Sequence, residues 1–312
     1  MGRGTAVGVS ASVGGGGGLN LITGGWGRRR MWCRAKGRAM FRVPTCVLTG
    51  VGPPRVTGGH AVDRYVQIGS LTKPLTGTLL ARMAETGAVR LDDPVERWLP
   101  APPGTGITLL NLARHTSGLP RLPPGLRGRD PYAAFGPAEL LRLVRGMDTV
   151  AVRPPGEEEY SNLGYAVLGA ALAAAGGAGY EELLDTYVLH PAELTGVSAD
   201  PAPGRRLLAP GLAGTRRRPW TMNGAILPAG GLWATPRAVA GLVVGLLVER
   251  RLGEPAVSWQ TAGPLRWHNG ATRDASVFAG AAEDGRWVVV HRLNGRSEDT
   301  DRAALEALRR EG

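Results

Sequence analysis

From residue 70 onward the apolar positions recur with a helical spacing. Leu71, Leu75, Leu79 and Met83 follow one another at intervals of four along one face, and the run ends near Gly87. Pro137 opens a helix over Ala138–Arg145, and Gly164–Ala175 reads as a small-residue helix stopped by Gly176-Gly177. A further helix is expected over Glu181–Leu189. Thr235-Pro236 supplies a cap and a first-turn proline for a helix reaching Arg251. Its apolar core, Ala238–Val248, is far shorter than the roughly 20 residues of a membrane span, so it is expected to be buried in protein. The period then changes. Ser276–Ala282 and Arg286–Leu293 are β-rich runs joined by Glu283-Asp284-Gly285, a hairpin signal, and Thr300–Arg310 closes the chain as an amphipathic helix.

The beginning of the chain is harder to read. Thr5–Val13 and Leu19–Thr23 suit two short strands about the Gly14–Gly18 run, which would serve equally as a flexible linker. Residues 24–60 are rich in glycine and arginine and take only a loose assignment. With strands at both ends and helices between, the expected class is α+β. One antiparallel sheet is built from both termini and flanked by helices, with a helical subdomain inserted beside it. A cleft where sheet meets helices is the natural site. Residues 1–60 are set apart as a basic, loosely ordered segment with one hairpin, and residues 61–312 as the main domain.

Charge and composition narrow the function. The 312 residues carry a formal net charge of +11, yet residues 1–60 hold eight arginines, Lys36 and no acid, so most of the excess lies in that leader. Arg28-Arg29-Arg30 could meet a polyanion, but an arginine-biased, solvated leader is the plainer reading. The rest shows no basic run interleaved with aromatics, so no nucleic-acid partner is expected. No apolar signal segment stands out, which points to the cytoplasm. Two cysteines, Cys33 and Cys46, make neither a disulfide scaffold nor a four-thiolate zinc site. The five histidines show no H-E-x-x-H spacing. No G-x-S-x-G and no phosphate-binding G-x-x-x-x-G-K-[ST] occurs, and no cofactor is expected.

Of the 37 basic residues only Lys36 and Lys73 are lysine. A guanidinium cannot deprotonate near neutral pH, whereas a desolvated amine can act as a base. Lys73 lies three residues after Ser70, so at the start of a helix the two share a face. A serine needs such a neighbour to take its proton as it attacks, and a helix N-terminus offers free N–H groups to an oxyanion. The alternative is a capping serine beside a solvent-facing lysine. Tyr160-Ser161-Asn162 sits on a loop leading into a helix. The tyrosine can relay a proton and the asparagine can hold a lysine, or the pair is simply a buried tyrosine and a cap. In Trp267-His268-Asn269-Gly270 the glycine lets a strand approach a ligand. His268 either orients substrate or is a satisfied core residue.

Together and in this order, the three motifs resemble the serine β-lactamase/penicillin-binding-protein superfamily, and its class C-like esterase and DD-peptidase branch most of all. Gly87–Pro94, His115–Pro120, Pro155–Gly169 and Pro228–Thr235 resemble that branch too, so the likeness runs from about residue 63 to 293. It implies a β-lactamase/transpeptidase-like fold and an acyl-enzyme mechanism on an ester, amide, β-lactam or D-Ala-type peptide bond. Ser70 would be the nucleophile, with Lys73 and Tyr160 as general acid and base. Asn162, His268, Gly270 and Ala271 would contact substrate, the N–H groups of Ser70 and Ala271 forming the oxyanion hole. His115 would belong to a structural turn with Gly118 and Pro120. His268 stands where lysine is common, and Arg273-Asp274 where the branch has small residues. The implied partner is a small-molecule or peptide-like acyl substrate. The rival reading is a catalytically silent penicillin-recognising fold used for binding or regulation, disfavoured by the complete set of proton-transfer groups.

Overall fold

Nine strands appear in the computed structural model, which describes residues 43–310. They are β1 Thr45–Thr49, β2 Arg55–Thr57, β3 Val66–Gln67, β4 Val197–Ser198 and β5 Trp233–Ala234, then β6 Gln260–Ala262, β7 Leu265–Ala271, β8 Ala275–Ala282 and β9 Trp287–Leu293. Six form one antiparallel sheet in the order β2-β1-β9-β8-β7-β6. The other three make a small sheet, β3-β5-β4. All belong to one unit, residues 41–312.

Sheet period explains how the layers stack. Along β8, Val277, Ala279 and Ala281 face the main helical core, while Phe278 faces the other way. That second face, with Val288 and Val290 of β9, packs on Ala304, Ala307 and Leu308 of the C-terminal helix Ser297–Arg309. β8 is therefore buried on both sides, which is why it reads as a nearly unbroken apolar run. The turn into β9 places Gly285 at φ +87, as the Asp-Gly pair anticipates.

The central helix Thr72–Glu85 follows a 3₁₀ turn, Gly69–Leu71. Leu71, Leu75, Leu79 and Met83 have no exposed surface, so the four-residue spacing does mark the core face. Pro74 falls in the first helical turn, where its missing N–H removes no bond. The helices expected over Ala138–Arg145 and Gly164–Ala175 are present as Pro137–Arg145 and Asn162–Gly176, the latter capped by the Ser161 hydroxyl and ended by Gly177 in the left-handed region.

Some expectations need revision. Strands β1 and β2 lie before residue 60, so the folded sheet begins earlier than the boundary drawn at residue 61. Cys46 and Leu48 alternate inward against β9, a period-2 signal that the surrounding glycines and arginines obscured. The helix expected to reach Arg251 runs as Pro236–Val243, widens into a π turn over Val244–Val248 and stops, with Arg250 at φ +51. Glu181–Leu189 is helical as expected, its α-helix Tyr180–Leu184 passing into a π turn, Asp185–Leu189. The small sheet has no sequence signature, since two-residue strands are too short to show a period. The hairpin expected within residues 5–23 lies outside the described residues. Among the described residues no single helix is long and apolar enough to cross a membrane.

Gly169 fixes how closely the Asn162–Gly176 helix meets the Leu227–Gly230 turn, because a Cβ there would lie 2.1 Å from Pro228 Cγ. The Gly169→Ala variant is expected to lose about 1–3 kcal/mol of stability by overpacking, read as a lower denaturant midpoint with an unchanged slope. An unchanged midpoint would show that this approach is not tight.

Candidate active site

Ser70 sits where the 3₁₀ turn is pressed against β7, backbone to backbone. Gly69 has φ +51, and a Cβ on it would lie 2.7 Å from the Ala271 carbonyl oxygen and 2.8 Å from the Ala271 nitrogen. A Cβ on Gly270 would lie 2.0 Å from Ile68 O and 2.9 Å from the nitrogens of Ser70 and Leu71. Only glycine permits this approach at either position. Two N–H groups face the cleft as a result. Ser70 is the second residue of a turn whose first internal bond is made by Leu71 N–H, so its own N–H has no helical partner. The Thr272 N–H bonds the Ala275 carbonyl, which by strand alternation turns the Ala271 N–H away from β8 and towards the Ser70 turn.

The side chains converge on Ser70 Oγ from two directions. Lys73 Nζ is 3.3 Å away and the Tyr160 hydroxyl 2.6 Å. Lys73 has no exposed surface; it also donates to Asn162 Oδ1 at 2.7 Å and to the Ala229 carbonyl at 2.6 Å. Its Nζ lies 4.7 Å from the centre of the Tyr160 ring and 5.3 Å from that of Tyr165. Burial drives its pKa well below the ordinary 10.5, and the positive charge of Arg121 pushes the same way. Burial raises the Tyr160 phenol to about 12, partly offset by its bond to Ser70 and by Arg121.

The loop that carries Tyr160 is held by His115. This residue sits at φ +61, rare for a side chain that is not glycine. Its carbonyl accepts from Glu159 N–H at 2.7 Å and its Nδ1 accepts from Ser161 N–H at 3.0 Å. An accepting Nδ1 requires the neutral ring with the proton on Nε2, and burial lowers the pKa to about 3. The ring also packs on Tyr160, with centroids 4.5 Å apart. The structural turn expected for His115–Pro120 thus orients the second motif. At Gly118, φ is +71 and a Cβ would lie 2.0 Å from Arg153 O.

His268 is brought near but not into contact. It is buried, its pKa is lowered to about 3 by desolvation, and its Nδ1 bonds the Asn269 carbonyl. Among the described residues it makes no hydrogen bond to Ser70, Lys73 or Tyr160. It and Tyr160 instead line a cavity of about 510 Å3 together with Glu158, Ser258 and Trp259. A neutral histidine there offers no cation to a substrate carboxylate, unlike a lysine.

Three participants were not found from the sequence. The Ala229 carbonyl has no side-chain signature. Arg121 places its guanidinium 5.1 Å from the Tyr160 ring centre, and its carbonyl accepts from Asn162 N–H at 2.8 Å. Tyr132 lies against Asn162 and edge-on to Trp220, with ring centroids 5.8 Å apart. Both are isolated residues in an irregular segment, where only the three-dimensional path reveals them.

This geometry has relatives. A family model described as Beta-lactamase matches residues 1–294. Over 185 residues the chain is 33% identical to the D-alanyl-D-alanine-carboxypeptidase/endopeptidase AmpH of Escherichia coli (strain K12), covering 56% of this chain and 47% of that protein. A Beta-lactamase of the same organism is 30% identical over 141 residues, 44% of this chain and 36% of that one. The chain thus spans about half the length, or less, of these curated relatives. Among solved structures, a Beta-lactamase/D-alanine Carboxypeptidase from Yersinia pestis superposes with a TM-score of 0.71 at 21% identity, covering 86% of this chain and 92% of that one. The D-amino acid amidase of Ochrobactrum anthropi gives 0.67 at 20% identity, over 86% and 93%. The sheet order, its closure by strands from both ends of the described chain and the helical insertion are those of the β-lactamase/transpeptidase fold, and the chain belongs to the β-lactamase family.

Proposed function

We propose that the protein is a serine hydrolase that cleaves an ester or amide bond through an acyl-enzyme on Ser70, with D-amino-acid amides and peptides as its leading substrate class. The observation that carries the chemistry is the placement of Ser70 Oγ between Lys73 Nζ and the Tyr160 hydroxyl. The substrate class is supported by the names of two relatives, a D-alanyl-D-alanine-carboxypeptidase/endopeptidase and a D-amino acid amidase.

Protonation states follow from the hydrogen bonds. A neutral Lys73 amine has two N–H groups and one lone pair. With the two donors on Asn162 Oδ1 and the Ala229 carbonyl, the lone pair is left for the Ser70 hydroxyl. As Ser70 Oγ bonds to the carbonyl carbon, its proton passes to Lys73 and the carbonyl oxygen becomes an oxyanion. The N–H groups of Ser70 and Ala271 stabilise that charge. When the bond to the leaving group breaks, the departing atom takes the Tyr160 proton, and the Lys73 ammonium restores it to the tyrosinate. Water then attacks the acyl carbon by the same steps in reverse, returning the proton to Ser70. Asn162 and Arg121 are positioning residues, and His268 is a neutral wall of the leaving-group side.

Incubation with a fluorophosphonate followed by intact-mass analysis is expected to add one phosphonyl group to wild type and none to Ser70→Ala, with both proteins folded. Wild-type turnover by Ser70→Ala would overturn the mechanism. No adduct on folded wild type would favour the silent binding module.

Lys73 also sets the pH dependence. Its pKa is depressed, so the basic form accumulates as pH rises through a value well below 10.5, and kcat/KM should climb there. Tyr160, raised to about 12, keeps its proton to the alkaline end, so no descending limb is expected between pH 7 and 10. Lys73→Arg, which cannot deprotonate, is expected to lower kcat/KM by about 10²–10⁴ across this range. Retained activity in that variant would rule out a lysine base.

A further inference from the structure

Beside the third motif lies a cleft of about 660 Å3 whose walls include Arg129, Arg206, Arg218 and Arg273, with Trp220 and Trp233. Its size suits a small molecule. It adjoins the Ser70 turn at three points. Arg273 is two residues beyond Ala271. Trp233 pairs in register with Gln67, three residues before Ser70. Met222, also on the wall, bounds the Ser70 turn: a Cβ on Gly230 would lie 3.2 Å from its Cε and 3.5 Å from the Gly69 carbonyl carbon.

Most of the charge in this cleft is already committed. Arg206 is paired with Asp200. Asp130 accepts from Thr221 N–H at 3.0 Å and from its hydroxyl at 2.8 Å. Arg273 is used as a staple: it bonds Asp274 at 3.2 Å, the Arg129 carbonyl at 3.1 Å and the Arg218 carbonyl. The staple ties two chain segments together at the positions of the remaining arginines. Among the described residues the guanidinium groups of Arg129 and Arg218 have no hydrogen-bond, ion-pair or ring partner. Two uncommitted, permanently charged forks thus border one concave site, where Asp130, held by Thr221, is the acid without a cationic partner. Four arginines against Asp130 and Asp200 leave the lining with an excess of two positive charges, which favours an anion there.

The side of the reaction follows from the proton. A leaving group must be protonated as it departs, and Tyr160 lines the other, 510 Å3 cavity together with His268. The arginine cleft contains none of the proton-transfer groups, so it receives the acyl portion.

From this arrangement we infer that the acyl portion of the substrate carries an anionic group, a carboxylate or a phosphate, which Arg129 and Arg218 bind in the cleft stapled by Arg273. This rests on the serine-hydrolase reading for its meaning but has a test that does not. In the catalytic arm, p-nitrophenyl half-esters of dicarboxylic acids from succinate to suberate are compared with their methyl-capped twins. Wild type should favour the free acid by about tenfold in kcat/KM at one or more chain lengths. Arg129→Ala/Arg218→Ala should abolish that preference and leave the neutral esters within twofold. Arg127→Ala, an exposed arginine outside the cleft, should keep it. No preference at any length, or a preference that survives the double variant, overturns the inference.

The binding arm uses calorimetry on Ser70→Ala, which needs no turnover, with suberate and 8-phosphonooctanoate as probes. Binding of either that weakens at least tenfold in the added double variant supports the site, and the tighter probe distinguishes carboxylate from phosphate. Absence of binding, or an unchanged Kd, overturns it even where no ester is hydrolysed. A missing fluorophosphonate adduct, by contrast, tells against the proposed function alone.

Discussion

Burying a single lysine amine without an acid to neutralise it is the constraint around which this molecule is organised. Lys73 has no exposed surface, and the groups its Nζ meets are a hydroxyl, an amide oxygen, a backbone carbonyl and two aromatic faces. None carries a full negative charge. An ammonium in that setting loses far more hydration than dipoles return, so the neutral amine gains on it. A carboxylate at the same distance would reverse the outcome by holding the proton on nitrogen. The same arrangement would be a liability in a purely structural core.

Meeting that constraint brings the rest of the fold into place. Asn162 reaches Lys73 because Ser161 caps its helix and the Arg121 carbonyl fixes its N–H. The Ala229 carbonyl reaches it because Gly169 lets the Pro228 ring sit against the Asn162–Gly176 helix. The Pro228 carbonyl, one residue earlier, accepts from Thr76 on the central helix at 2.7 Å. Tyr160 is aimed by His115, whose left-handed backbone is retained because both its carbonyl and its ring nitrogen hold the loop. Gly69 and Gly270 then bring β7 close enough for two backbone N–H groups to face the place where charge would develop. Side-chain basicity and backbone donors therefore depend on the same few close approaches.

What could be read from the sequence was what is local. Ser70 and Lys73 are one helical turn apart, so their meeting needs no knowledge of the fold. Likewise the cap at Ser161 and the Asp284-Gly285 turn are written in consecutive residues. Long-range features carried by backbone were silent, the Ala229 carbonyl above all, because any residue supplies the same oxygen. Arg121 and Tyr132 act through where an irregular loop happens to pass, and such a path has no period. Strand β1 was obscured by composition rather than by lack of pattern: Cys46 and Leu48 alternate correctly amid a glycine- and arginine-rich stretch. Arg273 was visible as a departure from the family pattern, but its role as a staple between residues 129 and 218 required coordinates.

The chain contains only two lysines, Lys36 and Lys73, which makes its central claim directly measurable. Lysine labelled with carbon-13 at Cε would give two resonances, assigned with Lys36→Arg and followed by NMR from pH 5 to 11. The account predicts that Lys73 titrates well below the ordinary lysine value of 10.5. A Lys73 signal that stays protonated until the ordinary value would contradict a neutral amine base and the mechanism built on it.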